Sequence, residues 1–267
     1  MIGYLLRGFC LWVGLFLVGA CATSEPPIQT ATPTQAAGPP PLRVGVTPRS
    51  QPMIFKSGGN LAGVEVEFAR LLGKELGRPV EFVELAWEKQ IPALLEGRTD
   101  IIMSNMSVTQ ARQVRIAFTD PYMKVALVAV MRAEDKGKYI TWDDIAWTQA
   151  NVGVIAGTTG DAFVQKNIPH AVRVEIPSPK DGAVQLMRRR IDLFVHDGPV
   201  AMWLVSENEG SLVGFPAPLD EEQLGWGVRR DDQGLLAAVN GVLGQWKRDG
   251  TVDKVVIRWM PWRKSAQ

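Results

Sequence analysis

Two stretches of this chain alternate short β-like runs with amphipathic helical runs, and that alternation constrains the fold most. Leu42 to Val46 alternates like a strand. From Val64, the apolar residues Val64, Phe68, Leu71, Leu72 and Leu76 recur at helical spacing, and Gly77 ends the run. Val80 to Leu85 reads as a strand, Lys89 to Leu95 as a short helix with Pro92 in its first turn, and Asp100 to Met103 as a strand. A second set follows. Asn151 to Ala156 is a strand, Gly157 to Gly160 a turn and Asp161 to Lys166 a helix; Val172 to Ile176 is a strand, Asp181 to Arg189 a helix, Ile191 to Val195 a strand and Pro199 to Val205 a helix. Such alternation predicts an α/β fold of two lobes, each a mostly parallel sheet flanked by helices, with a cleft between them. Residues 125–133 and 214–228 read as extended crossings between the lobes. Leu235, Val239, Val242 and Trp246 share one helical face, Thr251 to Trp259 reads as a last helix, and both are expected back on the first lobe. The expected division is 42–130 plus 222–262 for lobe one and 131–221 for lobe two.

The N-terminus reads as processing and tethering. Leu11 to Ala22 is an apolar run of about a dozen residues after Arg7, where a membrane span needs about 20. It fits a secretory signal over residues 1–20. Val18-Gly19-Ala20-Cys21 resembles a bacterial lipobox, in which the cysteine is lipidated and becomes the mature N-terminus. The alternative is an ordinary signal peptide or uncleaved anchor with an incidental cysteine. Residues 22–41 are rich in Thr, Pro, Ala and Gln with no apolar period, so 21–41 is expected to be a lipidated cysteine and a disordered spacer.

Cleavage before Cys21 leaves 247 of the 267 residues, enough for two lobes. The whole chain carries 29 basic and 28 acidic residues, and the signal holds one base, so the mature part is neutral. That argues against nucleic acid or an anionic membrane surface as a partner. The two cysteines are Cys10, inside the signal, and Cys21, so no disulfide pair is left to staple the domain and its core must hold it.

Enzyme motifs are missing: no GxSxG, no phosphate loop ending GK[ST], no HExxH and no CxxC pair. His170 and His196 do not form a metal-binding spacing, and neither metal nor cofactor is expected. The strongest constellation is Ser104 to Arg112, after the third strand. Thr109 is a good N-cap, and Arg112 falls in the first turn, where a cation opposes the helix dipole. A ligand carboxylate would reverse that cost, and the guanidinium can hold it through two parallel hydrogen bonds. The hydroxyls of Ser104 and Ser107 can add more; the plainer reading is a surface arginine beside a capped helix. Gly157-Thr158-Thr159-Gly160 offers amides and hydroxyls at a helix start. Asp197 sits just past a strand end, where such sheets bind ligands, and could accept an ammonium group or simply cap the next helix. One cation, two hydroxyl-bearing turns and one carboxylate across a cleft complement a zwitterion.

These residues carry a family resemblance. The chain resembles the amino-acid-type periplasmic solute-binding proteins of ABC transporters, bacterial family 3, from about Leu42 to Trp259. The supporting stretches are Gly63-Val-Glu-Val-Glu-Phe-Ala, Trp87-Glu-Lys-Gln-Ile-Pro-Ala-Leu, Asp100 through Arg112, Phe118-Thr-Asp-Pro-Tyr122, Val152 through Gly160, and Asp249-Gly-Thr-Val-Asp-Lys. The resemblance implies the type II periplasmic-binding-protein fold and a lipid-anchored monomer in the periplasm or cell envelope. It implies an amino acid or similar small zwitterion as guest, captured by hinge closure, and an ABC permease as partner. Arg112 would grip the α-carboxylate with Ser107 and Thr158 or Thr159, and Asp197 would take the α-ammonium. Ser104 and Asn105 would line the strand end, and Trp87 would form an aromatic wall. Thr47 and Ser50 stand where the family usually has an acidic and an aromatic residue, which marks the side-chain pocket as atypical. Arg49 faces solvent or supplies an extra cation. Two rivals share the scaffold: a cyclohexadienyl-type dehydratase, with Glu88, Glu65 or His196 as general acid, and a ligand-sensing module without transport.

Overall fold

The computed structural model describes residues 38–262 of the chain. The signal-like run, Cys21 and the spacer to residue 37 lie outside the described residues, as do 263–267. Among the described residues no helix is long and apolar enough to cross a membrane.

Each half of the alternating pattern makes its own sheet. The first runs in the order Val80–Glu84, Leu42–Val46, Ile101–Ile102, Gly227–Val228 and Ala117–Phe118. The three strands read from the alternation are parallel, and the two late arrivals add antiparallel pairs. The second sheet is Leu212–Gly214, Met123–Arg132, Leu193–Asp197, Asn151–Val154 and Val172–Glu175, with Asp220–Leu224 also on Met123–Arg132. Its last three strands are parallel; every pair made by Met123–Arg132 is antiparallel. The expectation of mostly parallel sheets therefore holds where a helix carries the chain back over the sheet, and fails at the crossings, which enter directly and reverse.

The two crossings bond to one another. Asp220–Leu224 pairs with Leu127–Met123 residue for residue, so the connection between the lobes is a two-stranded ribbon rather than two separate tethers. The crossing strand is apolar through most of its length because both faces are covered. Leu127, Ala129 and Met131 pack with Val152 and Val195, while Val128 and Val130 pack with Phe194 and Leu204. The first lobe's core gathers Leu42, Val44, Phe68, Leu72 and Trp226 with Leu235, Val239 and Trp246 of the helix Gln233–Arg248. Val255 and Val256 of the closing helix Thr251–Trp259 join it, so both late helices pack on this core. Between the first strand and the helix that starts at Val64, the chain forms the hairpin Phe55–Ser57 and Asn60–Ala62. The helix Trp142–Ala146 escaped the periodicity reading because it is one turn long, but its capping box, Thr141 with Asp144, is a sequence signal.

Candidate functional site: a cavity between the lobes

Strand ends and the first turns after them build the site. The helix carrying Arg112 is one turn, Gln110–Gln113, with Thr109 as its N-cap: the Thr109 hydroxyl accepts from the Arg112 N–H at 3.3 Å. A single turn has little dipole, so the expected dipole penalty on Arg112 does not arise. Its guanidinium is held instead by geometry. Nη1 donates to the Ser107 carbonyl at 2.8 Å, and the guanidinium carbon lies 5.1 Å from the centroid of Trp87. Nη2 donates across the cleft to the Gly157 carbonyl at 3.3 Å, and Trp87 Nε1 donates to the same oxygen at 3.1 Å. Two of five guanidinium protons are then committed, and three remain. Among the described residues Arg112 makes no ion pair. Burial lowers its pKa, and the charges of Asp197 and Glu222 push back.

Asp197 ends the strand Leu193–Asp197 and is the N-cap residue of the helix Gly198–Glu207, yet its side chain makes no capping bond. The carboxylate instead accepts from Asn105 Nδ2 on the opposite lobe. Burial raises its pKa to about 6, against the pull of Asn105 and Arg112. Asn105 is a non-glycine residue at φ 56, the left-handed region that asparagine tolerates best. That backbone lets its N–H reach Glu65 at 2.6 Å while its side chain crosses to Asp197. Its Oδ1 is buried and has no partner among the described residues.

The hydroxyls divide by employment. Ser104 Oγ accepts from the Thr47 N–H at 2.8 Å and keeps its own proton to give. Ser107 Oγ donates to Glu222 at 2.6 Å, so with Glu222 ionised it offers a guest an acceptor only. Thr158 caps the helix Thr159–Asn167: its hydroxyl donates to the Ile155 carbonyl at 2.7 Å and accepts from Asp161 N–H at 3.3 Å. Thr47 donates to the Leu85 carbonyl and accepts from Gln90, which ties it to its own lobe. Ser50 pairs through its backbone with Ile54 in the loop.

All nine expected site residues (Thr47, Trp87, Ser104, Asn105, Ser107, Arg112, Thr158, Thr159 and Asp197) line one cavity of about 400 Å³ between the lobes. Arg49, Ser50, Glu88, Glu175 and His196 line it too. Glu222, on the second crossing, was missed. It sits behind Ser107, with a pKa raised by burial and by Asp197 and lowered by Ser107 and Thr159. Of the acids a dehydratase would call on, Glu65 does not line the cavity: it is fully buried in lobe one and accepts from Asn105 N–H, Tyr122 Oη and Trp226 Nε1. His196 is buried, and burial lowers its pKa to about 4, so it is neutral at pH 7.

Two lobes joined by a paired ribbon, closed over a cavity with a cation on one wall and an acid on the other, define a hinged small-molecule binding protein. Residues 42–261 match the family described as bacterial extracellular solute-binding proteins, family 3, and the chain belongs to that family. It is 26% identical over 220 residues to the L-cystine-binding protein TcyJ of Escherichia coli K12, covering 82% of each chain. It is 29% identical over 247 residues to the histidine-binding periplasmic protein of Salmonella typhimurium LT2, covering 86% of this chain and 91% of that one. Among solved structures it is similar to the ancestral amino acid-binding protein AncCDT-1, a precursor of cyclohexadienyl dehydratase. The TM-score is 0.77 and the identity 33%, over 82% of this chain and 94% of that one.

Proposed function

We propose that this protein captures an amino acid, or a similar small zwitterion or carboxylate, by closing its lobes, and delivers it to the permease of an ABC importer. One observation carries the reading: Arg112, which has no ion pair among the described residues, and Asp197 come from opposite lobes and line the same cavity. Arg112 takes the α-carboxylate with its remaining protons, Asp197 and the orphan Oδ1 of Asn105 take the α-ammonium, and Ser104 donates from the strand end. Trp87 backs the guanidinium. Thr159 flanks Glu222, and Thr158 holds the turn that presents the Gly157 carbonyl. Closure strips water from the charges and strengthens each bond. The relatives named above bind amino acids by name, which agrees with a zwitterion head. The reading keeps the protein a binding protein, a monomer, held at the cell envelope by lipid on Cys21.

Arg112→Ala leaves a buried carboxylate poorly paired and costs on the order of 2–5 kcal/mol of binding. A thermal-shift screen of amino acids and small carboxylates finds the guest: at 100 times its Kd it adds roughly 2.7 kcal/mol of stability. Calorimetry then compares wild type with Arg112→Ala, and equal affinity refutes the assigned role. Cys21→Ala should move the protein from the membrane fraction to the soluble envelope fraction, and an unchanged distribution refutes the anchor.

A further inference from the structure

Four side-chain hydrogen bonds cross the cleft from donors that line the cavity. Arg112 and Trp87 donate to the Gly157 carbonyl, Asn105 to Asp197 and Arg49 to the Pro177 carbonyl. A guest contests such bonds, because it draws on the same donors and the same acid. A fifth contact has an acceptor that does not line the cavity. Ser107 and Thr159 line both the cavity and an outer groove beside the hinge, and Glu222 lines the groove alone. Glu222 is half-buried in the strand Asp220–Leu224, opposite Val125 of the other crossing. Its carboxylate accepts from Ser107 Oγ of lobe one at 2.6 Å, and Thr159 of lobe two steadies the same charge through a side-chain hydrogen bond. The backbone already fastens the lobe-one side: Val108 N–H donates to the Gln223 carbonyl at 2.7 Å, and Ser107 bridges Leu224. Opening the hinge therefore acts on the grip on Thr159, which starts the helix Thr159–Asn167.

We propose that Glu222 is a positioning residue, a clasp carried on the hinge ribbon that holds Ser107 of one lobe and Thr159 of the other and so sets how often the ligand-free lobes stand closed. A carboxylate has lone pairs enough for both hydroxyls, and bonds to an ionised acceptor are the stronger kind. Apparent affinity scales with the fraction of molecules already in the binding-competent state. A clasp that no guest touches thus raises the affinity of every guest by one factor and selects none. The clasp rests on the closure reading above and not on the identity of the guest.

Small-angle X-ray scattering of the ligand-free protein tests it, together with calorimetry on those of the twenty protein L-amino acids that bind. Glu222→Ala should enlarge the ligand-free radius of gyration and weaken each of those amino acids by the same factor, about fivefold. Glu222→Gln keeps an oxygen for Ser107 and an amide donor for Thr159, so both readouts should stay near wild type. Thr159→Val removes the far end of the clasp, and adding Glu222→Ala to it should enlarge the radius no further. A radius unchanged by Glu222→Ala, or losses of affinity that differ from one amino acid to the next, overturns the clasp. So does Glu222→Gln behaving like Glu222→Ala, which would assign the effect to charge alone. If none of the twenty binds, the amino-acid reading falls, and the scattering still decides the clasp by itself.

Discussion

Each lobe buries a carboxylate, and the two are treated oppositely. Glu65 lies in lobe one under three donors, Asn105 N–H, Tyr122 Oη and Trp226 Nε1, all from its own lobe. Asp197 lies in lobe two, and its side-chain donor, Asn105, comes from the other lobe. Both are buried and both pKa values rise, to about 7 and about 6. Burial alone therefore does not distinguish a binding carboxylate from a structural one. What distinguishes them is where the donors live: an acid whose partner sits across a hinge loses that partner when the hinge opens, and has capacity left for a guest when it closes.

Substitutions should split along that line. Glu65→Ala orphans three buried donors and should cost about 4 kcal/mol of stability, a Tm loss of roughly 8–16 °C in thermal unfolding. A drop of only a degree or two would mean the first lobe does not depend on this acid. The pH dependence follows from the raised value. A carboxyl whose folded pKa exceeds its unfolded one adds stability that is complete below about 4.5 and gone above about 7. The stability of wild type relative to Glu65→Gln should therefore rise by about 3 kcal/mol as pH falls from 7 to 4.5. The comparison is made between variants because the depressed pKa of His196 works the other way, losing stability as pH falls from 6.5 toward 4. Asp197→Asn should do the reverse of Glu65→Ala: ligand-free Tm holds or rises, while affinity falls about thirtyfold, roughly 2 kcal/mol. Wild-type affinity should weaken below about pH 6 as Asp197 protonates, and Asp197→Asn should abolish that slope in calorimetry. Smallest is Gly157→Ala. The added methyl meets Trp87 at an ordinary 3.8 Å, so the expected loss, about 1 kcal/mol, is the left-handed backbone at φ 72 alone.

Much of this was legible. Val44, Phe68 and Leu72 announced lobe one through period and spacing, and Ser104 to Arg112 announced a wall of the cavity. The misreadings have local causes. The strand expected at Ile191–Val195 runs Leu193–Asp197, so Asp197 is in the strand rather than past it; the apolar run began two residues before the ladder. The helix expected from Asp181 starts at Pro179, because Ser178 caps it and proline suits the first turn. Glu222 was unreadable as a site residue because its importance comes from a pairing 115 residues away, with Ser107, that no local pattern encodes. The same holds for Glu65, whose three donors come from three separate segments.

Trp87 and Arg112 both seat on the carbonyl of Gly157 from the far side of the cleft. Two donors on one oxygen pull electron density from its carbon, and separation of the lobes removes both together. A ¹³C label at that single atom would thus have one chemical shift when the jaws are shut and another when they are apart. Its resonance would time the motion directly in solution, with no dye or spin probe attached.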